Sequence, residues 1–131
     1  MAKFVDEGRH RIIDILFGSQ DVDSVLYLGL YTNTSEPGAG SDLSGITEPS
    51  GGGYSRIALN RGSWNIINDY AQYAQQTFTA TADWGNVYGY FIATSSDNSG
   101  ILLCVEHFSD GPYNVKNEEK VKITPKIKCI V

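Results

Sequence analysis

The stretch from residue 82 to residue 108, ADWGNVYGYFIATSSDNSGILLCVEHF, leaves this chain few folds to choose from. Two apolar runs, residues 87–94 and 101–108, flank the segment SSDNSG. Both runs are rich in aromatic and β-branched residues, and the joint consists of residues that tolerate turns, so the stretch reads as a β-hairpin. In the first run Val87, Gly89, Phe91 and Ala93 share one face, and Tyr88, Tyr90, Ile92 and Thr94 share the other. Neither face is plainly polar, which is the pattern of a central strand covered on both sides.

The rest of the chain supplies partners for such a hairpin. Residues 24–32 (SVLYLGLYT) alternate, with Leu26, Leu28 and Leu30 on one face as core. Gly29 between two tyrosines marks a close approach or a bulge. Residues 54–60 resume the alternation, with Ile57 and Leu59 inward and Arg56 outward; 63–67 and 76–81 add short strands, and the polar stretch 68–75 reads as a connection. From Lys120 to Cys129, Val121, Ile123, Ile127 and Cys129 face one way and four lysines the other. Pro125 removes a ladder donor and argues for an edge or a bulge. Such lysines protect an edge strand from unwanted pairing or meet an acidic surface.

One helix is expected, over about residues 4–17, where Val5, Gly8, Ile12, Ile13 and Leu16 recur at helical spacing and Gly18 follows as a stop. Gly8 within the stripe costs helix propensity about 1 kcal/mol relative to Ala, which is tolerable where another backbone packs close. An amphipathic stripe is ordinarily buried within its own domain; the other use is docking onto a neighbouring subunit. Residues 33–53 form a long Gly-rich loop holding two Glu-Pro pairs, with Leu43 and Ile46 as its only apolar anchors. A loop of this length is either a surface excursion or an arm reaching another molecule. The expected architecture is an all-β antiparallel β-sandwich of about 7–8 strands with one N-terminal helix, forming one domain over residues 1–131.

Composition narrows function by exclusion. A net charge of −5 argues against general nucleic-acid binding, which needs a basic surface to neutralise phosphate. No apolar run approaches a membrane span, and acidic and basic residues interrupt the first apolar positions where a signal peptide would be continuous, so synthesis in a cytoplasm is expected. Cys104 and Cys129 lie in separate strand-like runs and read as free buried thiols, with a bridge between paired strands as the alternative.

No residue pattern points to catalysis, a cofactor or a metal. Adjacent Glu106 and His107 point to opposite faces of a strand, and His10 with Asp14 makes at most a surface pair. Nucleophile-elbow, zinc-protease and calcium-loop spacings are missing from the sequence. Trp64, Trp84 and the tyrosines, Tyr70 and Tyr73 being the best exposed candidates, offer a sugar-stacking platform, so a carbohydrate-binding module is kept as an alternative class, with a hydrolase behind it.

Read in order, the VDEGRHRIIDILFG helix, LYLGLYT, ITEPSGGGYSRIAL, Trp64, FTATADWGNVYGYFI, ILLCVEHFSDGPYNV and the closing KVKITPKI resemble a group of small tailed-phage virion proteins. The resemblance implies a β-sandwich that assembles on a phage particle without enzymatic activity. Its matching positions Glu48, Gly53, Tyr54, Arg56, Trp84, Gly85, Tyr88, Gly89 and Phe91 would be fold or contact positions. The expected function is capsid decoration, cementing the major capsid protein or other virion proteins as a homo-oligomer; a tail, baseplate or fibre component is the alternative. Glu36, Asp42, Leu43 and Ile46 of the loop and Lys122 and Lys126 of the lysine strand are the expected partner contacts.

Overall fold

The computed structural model describes residues 1–128. Strands β1 (Lys3–Phe4), β2 (Val25–Tyr31), β3 (Ile57–Asn60), β8 (Gly89–Ala93) and β9 (Leu102–His107) form a five-stranded sheet in the order β1-β9-β8-β2-β3. Every pairing in it is antiparallel. The opposing strands pair in smaller groups: β4 (Asn65–Ile67) and β5 (Tyr70–Gln72) with β12 (Lys126–Lys128), β6 (Gln76–Thr79) with β11 (Lys120–Ile123), and β7 (Gly85–Val87) with β10 (Tyr113–Val115). The result is an all-β, sandwich-like fold with a single helix near the N-terminus, α1 (Asp6–Phe17).

The hairpin read from the sequence is β8–β9, and β8 lies between β2 and β9 with all five residues buried. Its two side-chain rows enter two separate cores. Tyr90 and Ile92 join Leu28, Leu30, Leu59 and Cys104 against Phe78, Val121 and Ile123 of the opposing strands. Phe91 and Ala93 join Tyr31, Val105, Val5, Leu43 and Ile46 on the other side. The second face therefore lies under the start of α1 and the 33–53 loop, which is why neither row of β8 could be polar.

More strands occur than the alternation implied, because two apparent runs are broken. Residues 87–94 divide at Tyr88, so that β7 pairs with β10 while β8 pairs with β2 and β9. Residues 120–128 divide at Pro125, which lacks an N–H; β11 pairs with β6 and β12 with β5. β5 falls in the stretch read as a connection, since Tyr70, Ala71 and Gln72 carry no apolar alternation. Cys104 is a free thiol at full burial, which pushes its pKa up; Cys129 lies outside the described residues.

Helix α1 reaches the sheet through Gly8, its one fully buried residue. A β-carbon there would strike the backbone carbonyl of Leu103 on β9. The Glu7 carboxylate accepts from Leu102 N–H at 2.6 Å beside the irregularity where Ala93 pairs with Leu102 and Ile92 with Cys104. The helix is thus pinned at its first two turns. Gly29 is a close approach of the same kind, facing the Phe91 ring of the neighbouring strand.

Candidate interaction surface

Beyond the pinned turns, one flank of α1 is left uncovered, while Arg11, Ile12 and Ile15 stay half-buried against the body. Ile13, Leu16 and Phe17 are 58%, 67% and 84% exposed. Burial of the whole stripe within its own fold, the ordinary expectation for an amphipathic helix, is therefore corrected. At 100° per residue Ile12, Ile13, Ile15, Leu16 and Phe17 cover an arc of roughly 200°, about twice what one packed face conceals. That width was the signal in the sequence. Phe17, the most exposed of the three, lay outside the stripe as read.

The same flank of α1 borders a groove of about 500 Å³ whose other wall is the 33–53 loop. Phe4, Val5, Ile12 and Ile13 line one side, and Pro37 and Ala39 the other. The loop is tied to the helix start by Asp6 N–H donating to Ala39 C=O at 2.8 Å and by Lys3 against Glu36 at 3.3 Å. Arg9 is paired with Asp6 and donates to Phe4 C=O at 3.0 Å. The rim charges are thus neutralised in place, and the groove between them is apolar.

A buried clamp holds the loop in position. Arg56 donates through Nε and Nη2 to both oxygens of Glu48 at 2.9 Å each, and through Nη1 to Ser95 C=O at 2.9 Å and Asp97 C=O at 2.5 Å. Its second Nη2 bond goes to Asn98 Oδ1 at 2.7 Å. All five guanidinium N–H groups are used. The ion pair is two-sided in burial, 3% exposed at Arg56 and 23% at Glu48, and the guanidinium lies 5.0 Å from the Phe91 ring centre. The outward Arg56 expected from alternation is corrected: it does oppose Leu59, but the loop and the hairpin turn close over that face. The Tyr54 hydroxyl donates to Glu48 at 2.6 Å and accepts from Leu30 N–H at 2.9 Å, and burial pushes its pKa up. Trp84 Nε1 donates to Gly52 C=O at 3.0 Å. Positions that the resemblance marked thus staple the long loop to the sheet.

The anticipated contact residues are scattered by the fold. Glu36 lines the groove. Leu43 and Ile46 are buried under β8 at 3% and 8% exposure, and so offer a partner almost nothing. Asp42 caps the short 3₁₀ turn of Leu43–Gly45, accepting from Ser44 N–H at 3.0 Å. Lys122 is exposed on β11 and Lys126 half-buried on β12, and neither borders the groove. Tyr73 is buried, accepting from Asn60 N–H at 3.0 Å and packing edge-on against Trp64, and Trp84 is buried as well, so the aromatic platform does not assemble. His107 lies stacked between Tyr31 and Tyr88, with Nδ1 at 2.8 Å from the Tyr31 hydroxyl.

Two turn carboxylates give these loops a pH dependence. Ser44 O–H holds Asp42 below the usual 3.8, and Ser99 O–H does the same for Asp97. A carboxyl with a lower pKa folded than unfolded adds stability above its unfolded value, and that stability is lost as pH falls through the folded one. The thermal midpoint should therefore drop as pH is lowered below about 3.8, and the double variant Asp42→Asn, Asp97→Asn should show a flatter acid limb. An unchanged limb would mean that the two turns contribute nothing to it.

Residues 4–126 match the family model described as Gp80, podophage GP4 fiber I protein gp80. No curated protein matches the chain.

Proposed function

The chain belongs to the podophage GP4 fiber I protein family, and from that premise we propose that it is a non-catalytic structural part of a phage tail fibre. It is a virion protein of the tailed-phage structural class. The observation that carries the fibre reading is the extent of the match, which spans α1, the clamp and both layers of the sandwich rather than one local motif. Capsid decoration draws no support from a fibre family, so the tail alternative is preferred to it.

Association with other virion proteins would use the exposed flank of α1 and the groove beside it. Within the 33–53 loop, Glu36 and the adjoining Pro37 and Ala39 are available there, whereas Leu43 and Ile46 hold the loop down. Lys122 and Lys126 remain candidates for a second, weaker contact on the opposing layer.

A gold-labelled antibody against this chain should mark the tails of intact particles and leave tail-less heads unmarked. Label spread over the heads would overturn the fibre assignment in favour of decoration. A carbohydrate-binding role keeps only Trp64 and Tyr70, which border one open cleft of about 770 Å³ with Arg61 and Asn68. No observation raises it above the structural reading.

A further inference from the structure

Beside α1 the core does not close, and we propose that the opening binds a single-chain anionic amphiphile of the fatty-acid type. The chain enters an apolar recess and the head group meets Arg61. The recess, of about 260 Å³, gathers half-buried apolar side chains from separate parts of the fold. Ile12 and Ile15 come from α1, Leu26 from β2, Ile127 from β12 and Trp64 from the link between β3 and β4. Water in such a space finds few hydrogen-bond partners, and an apolar cavity of ~150 Å³ already takes up a benzene ring.

The recess continues past Trp64. Phe4, Leu26, Arg61, Trp64 and Ile127 also line the open cleft of about 770 Å³ that holds Asn68 and Tyr70. The two spaces therefore adjoin along a shared wall, the smaller one apolar beside α1 and the larger one rimmed with polar groups beside β4 and β5. An amphiphile matches that gradient. A sugar would occupy the cleft and leave the recess empty, and a flat protein surface cannot reach into it.

Charge selects the sign of the head group. Of the four arginines of the chain, Arg9 is paired with Asp6, Arg11 with Asp23 and Arg56 with Glu48. Arg61 has no carboxylate partner and no side-chain hydrogen bond among the described residues, and it is the arginine that lines both spaces. Its backbone is tethered, the N–H donating to Ser24 C=O at 3.0 Å, while its guanidinium donors are uncommitted. The other charges here cancel in pairs, Arg11 with Asp23 at 3.9 Å and Asp69 with Lys128 at 3.2 Å. Arg61 thus leaves a local positive charge on a chain of net charge −5. A carboxylate head fits it, because the planar fork of a guanidinium bonds two oxygens at once.

The test is a titration of the purified chain, followed by amide NMR, with hexanoate, octanoate and decanoate below their micelle concentrations. Octanol and octyltrimethylammonium serve as the uncharged and cationic controls. Saturable binding is expected, with the shifts centred on Ile12, Ile15, Leu26 and Ile127. Each methylene that enters the recess should tighten it up to about fourfold, the value of a buried CH₂. Arg61→Gln should weaken octanoate about fivefold and leave octanol unchanged. Val22→Trp, at a 49%-exposed position lining the recess, should fill it and abolish binding of both, with the fold retained by circular dichroism. No saturable binding, an affinity indifferent to chain length, or octyltrimethylammonium binding as well as octanoate would each overturn the site. Full octanoate affinity in Arg61→Gln, or in a folded Val22→Trp, would do the same, as would binding to phosphatidylglycerol vesicles in place of the free acids. The site stands apart from the fibre assignment: its failure leaves tail labelling untouched, and label on the heads leaves the recess as it is.

Discussion

Arg56→Ala is expected to destabilise the protein by about 3–5 kcal/mol, the cost typical of removing one partner from a buried ion pair. The magnitude follows from what the guanidinium leaves behind. Glu48 would lose its counter-ion while still partly buried, and the carbonyls of Ser95 and Asp97 would lose their shared donor. Two segments distant in sequence, the 33–53 loop and the 95–100 turn, are joined through this one side chain. Arg56→Lys should recover little of the loss. An ammonium carries charge but cannot present five N–H groups in a plane to a carboxylate, two carbonyls and an amide. Thermal denaturation followed by circular dichroism reads the effect directly. A loss under about 1 kcal/mol, the range of a surface salt bridge, would show that the clamp does not hold the loop. Added salt should change the outcome little, because a charge this deeply buried is poorly screened.

Gly8→Ala should also destabilise, by roughly 1–3 kcal/mol, although Ala is the better helix former by about 1 kcal/mol. The sign reverses because the added methyl meets the backbone of Leu103, in the sheet's own β9, instead of a side chain that could rotate away. Either the helix lifts or the strand shifts. With Glu7 bonded to Leu102 N–H at the adjoining residue, neither movement is free. Gly8→Val should undock α1 altogether. A helix of 12 residues is marginal in water once its tertiary contacts go, so helical ellipticity should fall with it. Ile13→Ala, on the exposed flank, should leave monomer stability nearly unchanged. Stabilisation by Gly8→Ala would refute the close approach.

Both effects act at places where the sequence showed a residue but not its neighbour. Gly8 within an apolar stripe already pointed to backbone contact, because glycine in a helix interior has a cost that something must offset. The identity of the contacting strand was not legible. Arg56 gave the opposite signal. A charged residue alternating with Ile57 and Leu59 is ordinarily solvated, and nothing within several residues of it foretells that a Gly-rich loop and a hairpin turn will close over that face. Its burial depends on Glu48 and on residues 95–98 arriving together, which is a property of the folded chain. The loop anchors show the same division. Leu43 and Ile46 were rightly singled out as apolar, yet as contacts for a partner, when the nearest apolar surface is the back of β8.

By itself the sequence determined the all-β class, the β8–β9 hairpin, the inward rows of β2 and β11, and the helix with its costly Gly8. All of these follow from side-chain periodicity and turn chemistry within a few residues of chain. Only the tertiary structure decided which segments cover the faces of β8, that Arg56 is enclosed and that Ile13, Leu16 and Phe17 are left in water. Exposure is set by whichever distant segment packs on a face. Local pattern specifies only that the face is apolar, and a second molecule can cover it as well as the chain itself.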